Sequence, residues 1–210
     1  MKTSRIIKIA VDILMLALLI FLANRRNGMG LLLHAVLGIA EFVLFALHHL
    51  LNVQWYKILF KGKWNSKRIF LSLTDTVLMA AMILMMISSF EISGLIFEWD
   101  FFPVRFVWKN IHSVCSSTLF MITSFHLALH IRCRKGLLIY LIFLGAGVFA
   151  FTQSRIFSYW FLLYTDASLR WSDFMQIVFS VMIILGVISG VTLVRNLKQQ
   201  MIFILSSLQA

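Results

Sequence analysis

Four of the six histidines are spaced as two matched pairs, and the spacing defines the chemistry they can do. His34 and His48 lie in the apolar stretch Leu31 to Trp55, and His112 and His126 in the apolar stretch Phe106 to Ile131. Both intervals are 14 residues. At about 100° per residue this is about 40° short of four helical turns, so each helix shows two imidazoles on one face, about 21 Å apart along its axis. Two such helices side by side stack two imidazole pairs across a hydrocarbon core about 30 Å thick. An ionisable ring in lipid is costly and is normally paired, coordinated or beside water. Haem fits the pattern best: its iron takes an imidazole on each face, and its macrocycle is apolar enough to fill the space between four helices. Position +4 after each first histidine is small, Gly38 and Ser116, where a flat ring would press against the backbone. The plainer alternative is four polar side chains hydrogen-bonding between helices.

The elements that must position these rings are apolar helices. The chain has 210 residues, is 61% hydrophobic with mean hydropathy +0.93, and has one proline and 20 phenylalanines. That composition is far outside soluble averages and predicts an all-α integral membrane protein. Six apolar stretches are expected to span: Ile6 to Ala23, Leu31 to Trp55, Ile69 to Phe90, Phe106 to Ile131, Leu137 to Phe151 and Phe174 to Val194. The fifth is short and must borrow residues toward Phe157 or thin the bilayer. Gly186 and Gly190 in the sixth form a small-xxx-small packing face.

The net charge of +11 would suit nucleic acid, but its placement argues against that. With the amino terminus cytoplasmic, the inner segments hold 13 of the 19 basic residues, from Lys2, Arg5 and Lys8 to Arg195 and Lys198. This is the positive-inside pattern and places both termini in the cytoplasm. It makes the two histidine helices parallel, with His34 and His112 at the outer level and His48 and His126 at the inner. Ala23-Asn24-Arg25-Arg26 is a poor signal-peptide cleavage site, so the first helix is read as retained. Cys115 and Cys133 form no CxxCH or CxxC motif and read as packing residues. No GxGxxG, P-loop or long hydrophilic stretch is present, so no module for nicotinamide or free flavin is recognisable.

Further ionisable residues lie along the helices. Asp12 is expected to pair with a basic neighbour such as Lys8 rather than to contact protons or a quinone. Glu41 stands on the stripe of His34, near mid-membrane. A neutral Glu hydrogen-bonded to a neighbouring helix is favoured there over a proton relay or haem tuning. His49 points about 100° from His48 and should leave the ligand face. His130 competes with His126 by direction, but depth favours His126. Asp12, His49, Asp75 and His130 gather at the inner end, as either a quinone and proton site or a polar collar. Met79, Met82, Met85 and Met86 read as packing. Arg25 and Arg26 stand where they can neutralise outer haem propionates or remain solvated. The segment Ile156 to Trp171, with Arg155, Asp166 and Arg170, reads as interfacial, as does the tail MIFILSSL.

In order and spacing, Asp12, His34-x3-Gly38, HHLLN at 48–52, Asp75, ISG at 92–94, His112 and HLALH at 126–130 resemble the flavinylation-associated cytochrome family, small prokaryotic membrane proteins of cytochrome b type. The resemblance covers roughly residues 5–135 and leaves out Glu41 and the last two helices. It implies a four-helix core holding two b-type haems on His34, His48, His112 and His126. It also implies electron transfer between the quinone pool and flavin-bearing proteins outside the cytoplasm. The expected protein is thus a six-helix membrane cytochrome of the prokaryotic cytoplasmic membrane, with a di-haem core over 1–135 and two further helices over 136–210. Rival readings are a haem-bearing anchor subunit of a dehydrogenase or reductase complex, and a haem-free proton-coupled transporter.

Overall fold

The computed structural model describes residues 2–23, 30–59, 61, 63–93, 105–131, 136–161 and 171–207. All elements among them are helices: α1 Lys2–Ala23, α2 Leu31–Leu51, α3 Val53–Leu59, α4 Ser66–Ser93, α5 Arg105–His130, α6 Leu137–Gln153, α7 Arg155–Trp160 and α8 Asp173–Ser207. Arg25, Arg26, the loop 94–104, Arg132 to Lys135 with Cys133, and Asp166 and Arg170 lie outside the described residues.

Five helices, α1, α2, α4, α5 and α8, are long and apolar enough to cross a membrane. The sixth apolar stretch forms α6, which at 17 residues is about 25 Å long. It does not extend toward Phe157, because Ser154 takes an extended backbone (φ −84°, ψ 155°) and its side chain accepts from the Phe157 N–H, capping a new helix. The α7 that follows packs one face against the rest of the chain. Arg155 and Ile156 are only 3% and 1% exposed, and Arg155 donates to the Asp173 carboxylate at 2.8 Å, pinning α7 to the start of α8. The α8 helix runs on through the tail to Ser207.

Polarity is distributed as lipid demands. The α2 helix exposes Leu32, Val36, Val43, Leu47 and Leu50, while its one buried residue is Glu41. Apolar side chains facing out and a carboxyl facing in is the arrangement of a helix in hydrocarbon, where apolar surface has no reason to hide. Met82 and Met85 of α4 pack with Leu119 and Phe120 of α5 in the core, so the methionines there do pack. The α6 and α8 helices meet at Gly147 and Gly186. A Cβ on Gly147 would fall 2.8 Å from Gly186 Cα and 3.0 Å from the Met182 carbonyl oxygen, so only glycine permits this approach. Gly147→Ala is expected to destabilise the protein by about 1–3 kcal/mol through overpacking. Gly145→Ala, where the added atom meets nothing within 4 Å, should be neutral or stabilising by up to about 1 kcal/mol through helix propensity. Thermal melts of both variants in detergent check the contrast.

Candidate functional site

The α2 and α5 helices make little direct contact; α2 packs chiefly on α1 and α5 chiefly on α4 and α8. What faces across the gap between them is histidine. At one level the His34 and His112 rings stand 6.2 Å apart, centroid to centroid, at 63°. Two imidazoles in line on opposite sides of one metal ion, each nitrogen about 2.0 Å from it and each ring centre about 1.1 Å further, would have centroids about 6.2 Å apart.

His112 is oriented from α4. Its Nδ1 lies 3.3 Å from Ser88 Oγ and 3.2 Å from Ser89 Oγ. Both hydroxyls donate to the Met85 carbonyl at 2.8 Å, so their protons are spent and their oxygens accept from the ring. This fixes the proton on Nδ1 and leaves the Nε2 lone pair free to bind. The +4 positions leave room: a Cβ on Gly38 would meet nothing within 4 Å, and Ser116 folds back on the Ser113 carbonyl at 2.9 Å.

At the other level each imidazole has a carboxylate behind it. His48 Nδ1 of α2 lies 2.7 Å from Asp12 Oδ1 of α1, and His126 Nδ1 of α5 lies 2.9 Å from Asp75 Oδ1 of α4. The second contact is at ion-pair distance, off the line of a good hydrogen bond. Asp12 is therefore not paired with Lys8, whose Nζ instead donates to Asn52 Oδ1 at 3.2 Å. A carboxylate on Nδ1 is the usual support of a metal-binding imidazole, because it holds the tautomer and aims Nε2.

His48 and His126 both line a cavity of about 500 Å³, within the range of cofactor sites. Its walls carry every residue expected at the inner end: Asp12, His49, Asp75 and His130, with Glu41 in addition. Since His34 meets His112 at one level and His48 and His126 share this cavity at the other, α2 and α5 run parallel. His49 turns from the ligand face to Tyr56, its Nδ1 2.8 Å from the hydroxyl and its ring edge-on to Phe45. Burial and the nearby Asp75 carboxylate raise the Tyr56 pKa above its ordinary value, so the hydroxyl keeps its proton at neutral pH. The His130 ring sits 4.7 Å from that of His126. Glu41 is not hydrogen-bonded to a neighbouring helix as expected; its Oε2 is buried without a partner.

Two features escaped the sequence reading. Ser89 follows Asp75 by 14 residues, the same interval that separates His112 from His126 on α5, so α4 carries a matching ladder of partners. Arg195 of α8 donates to the Ala128 carbonyl at 3.2 Å, satisfying the end of α5 beside His130. Among the described residues no three His, Cys, Asp or Glu side chains converge as a bare metal ion would require.

Fold and site together define an all-helical chain with five membrane-length helices, in which His34 and His112 meet at one level and His48 and His126 line one cavity at the other. Compared with known proteins, the chain matches no family model, no curated protein and no solved structure.

Proposed function

We propose that this chain is a di-haem b-type cytochrome with six membrane-crossing helices, moving electrons between the quinone pool and a flavin-bearing or other redox partner outside the cytoplasm. The observation that carries this reading is the pair of facing imidazoles, His34 and His112, on separate helices at the spacing of two rings sharing one ion. Two protein ligands are too few for a bare ion but suit iron already held in a macrocycle.

His34 and His112 would hold the outer haem, and His48 and His126 the inner one. Each haem, when bound, supplies a one-electron carrier. The protein's own part is to fix ring orientation. Ser88 and Ser89 hold His112 through Nδ1, Asp12 holds His48, and Asp75 holds His126. At the inner end His49, Tyr56 and His130 offer hydrogen-bonding groups for a quinone head group and its protons. The basic flank of α1, the α3–α4 region and the end of α8 supports a cytoplasmic position for this end and for both termini.

The test is a reduced-minus-oxidised visible spectrum of the detergent-purified protein with a haem-to-protein ratio. The expected result is a b-type spectrum and two haems per chain. A colourless protein that takes up no added haem overturns the reading.

A further inference from the structure

The two tiers account for most polar groups facing the cavity, but not for Glu41. It is 4% exposed, it lines the cavity, and its Oε2 has no hydrogen-bond partner. The other titratable groups there are engaged. From α1 and α4, Asp12 and Asp75 face His48 and His126 at 2.7 and 2.9 Å. From α2 and α3, His49 and Tyr56 are joined at 2.8 Å, and on α5 His130 lies against His126. Among the described residues no lysine or arginine lines the cavity, and Lys8 is held by Asn52, which does line it. A carboxylate at Glu41 thus has no fixed counter-cation, and an unbalanced charge in an apolar interior is costly. What balances it must be able to come and go.

We propose that Glu41 is a proton-loading site, taking up one proton for the electron that enters the inner tier and releasing it when the electron leaves. The proposal rests on the cytochrome reading. Ferric iron in a doubly deprotonated macrocycle with two neutral imidazoles carries one net positive charge, and ferrous iron carries none. The Glu41 carboxylate offsets the first state. One electron reduces the iron, one proton from the aqueous end of the cavity converts the carboxylate to the acid, and the net charge of the cavity is unchanged. Among the described residues Glu41 touches no other carboxylate or cation, so its proton is the one free to follow the electron.

The experiment uses the whole purified protein with both haems bound. The inner haem's midpoint potential is titrated across pH, and a reduced-minus-oxidised infrared spectrum is recorded. The expected slope approaches about 59 mV per tenfold change in proton concentration, the value for one proton per electron. A carbonyl stretch of a protonated carboxylic acid should rise on reduction. Glu41→Gln should remove the band and flatten the slope, and Glu41→Asp should restore both. Band and slope persisting in Glu41→Gln overturn the proposal. So does their absence from the unmodified protein, a readout independent of whether the variant folds. A haem-loaded protein with a pH-independent inner potential sinks only the role of Glu41, whereas a protein without haem sinks the cytochrome reading as well.

Discussion

His112→Ala is expected to lower the haem content from two per chain to one, removing the outer haem and leaving the inner one spectroscopically intact. The two tiers are about 21 Å apart along α5, and no side chain of the outer tier lines the cavity of the inner one. The α5 helix is held by Ser117, Leu119, Phe120, Ser124 and Ala128, which are buried against neighbouring helices, so the truncation takes away a ligand without unseating the helix. His34→Ala should give the same outcome, because one remaining imidazole leaves the iron half-ligated and the haem weakly held. His126→Ala should spare the outer haem and remove the inner one, while His130→Ala should spare both. Haem-to-protein ratios and visible spectra of the four variants check the assignment. Loss of both haems in His112→Ala would show that the tiers are not separate sites, and loss of the inner haem in His130→Ala would make His130 the inner ligand.

Much of this arrangement was legible in the sequence because it follows from periodicity along one helix. The 14-residue intervals place His34 with His48, and His112 with His126, on single faces, and the alternation of charged flanks makes the two helices parallel. What lies between helices was not legible. Asp12 has Lys8 one turn away on its own helix, which made a local ion pair the natural reading. The structure instead sets Asp12 against His48, 36 residues on. Helical period says which way a side chain points, not which helix stands there. The same limit hid Asp75 behind His126 and the two serines behind His112. The sequence did hold a usable signal, the 14-residue step from Asp75 to Ser89 repeated on the antiparallel neighbour. Local chemistry was also missed at Ser154, whose hydroxyl stops α6 and starts α7 in a stretch that reads as unbroken hydrophobicity. Glu41 is buried and lines the cavity, yet its lack of a hydrogen bond depends on what surrounds it, which no pattern on α2 encodes.

The two aspartates give the sharpest test of whether the inner imidazoles are ligands at all. Removing a carboxylate behind a metal-binding imidazole typically costs about 10- to 100-fold in affinity, because the ring loses its tautomer, its aim and part of its basicity. Asp12 and Asp75 act on different rings from different helices, α1 and α4, so their effects should be near independent and multiply. The Asp12→Ala and Asp75→Ala double variant is therefore expected to bind the inner haem about 10² to 10⁴-fold more weakly, with the outer haem unaffected. Asp12→Asn and Asp75→Asn keep an acceptor for Nδ1–H while removing the charge, so they should recover the part of the loss that comes from orientation. Competition of the inner haem with a haem-scavenging apoprotein measures the affinity. If the aspartates were only a polar collar, both replacements would act through helix stability alone. The two tiers would then weaken together, since α1 and α4 support both.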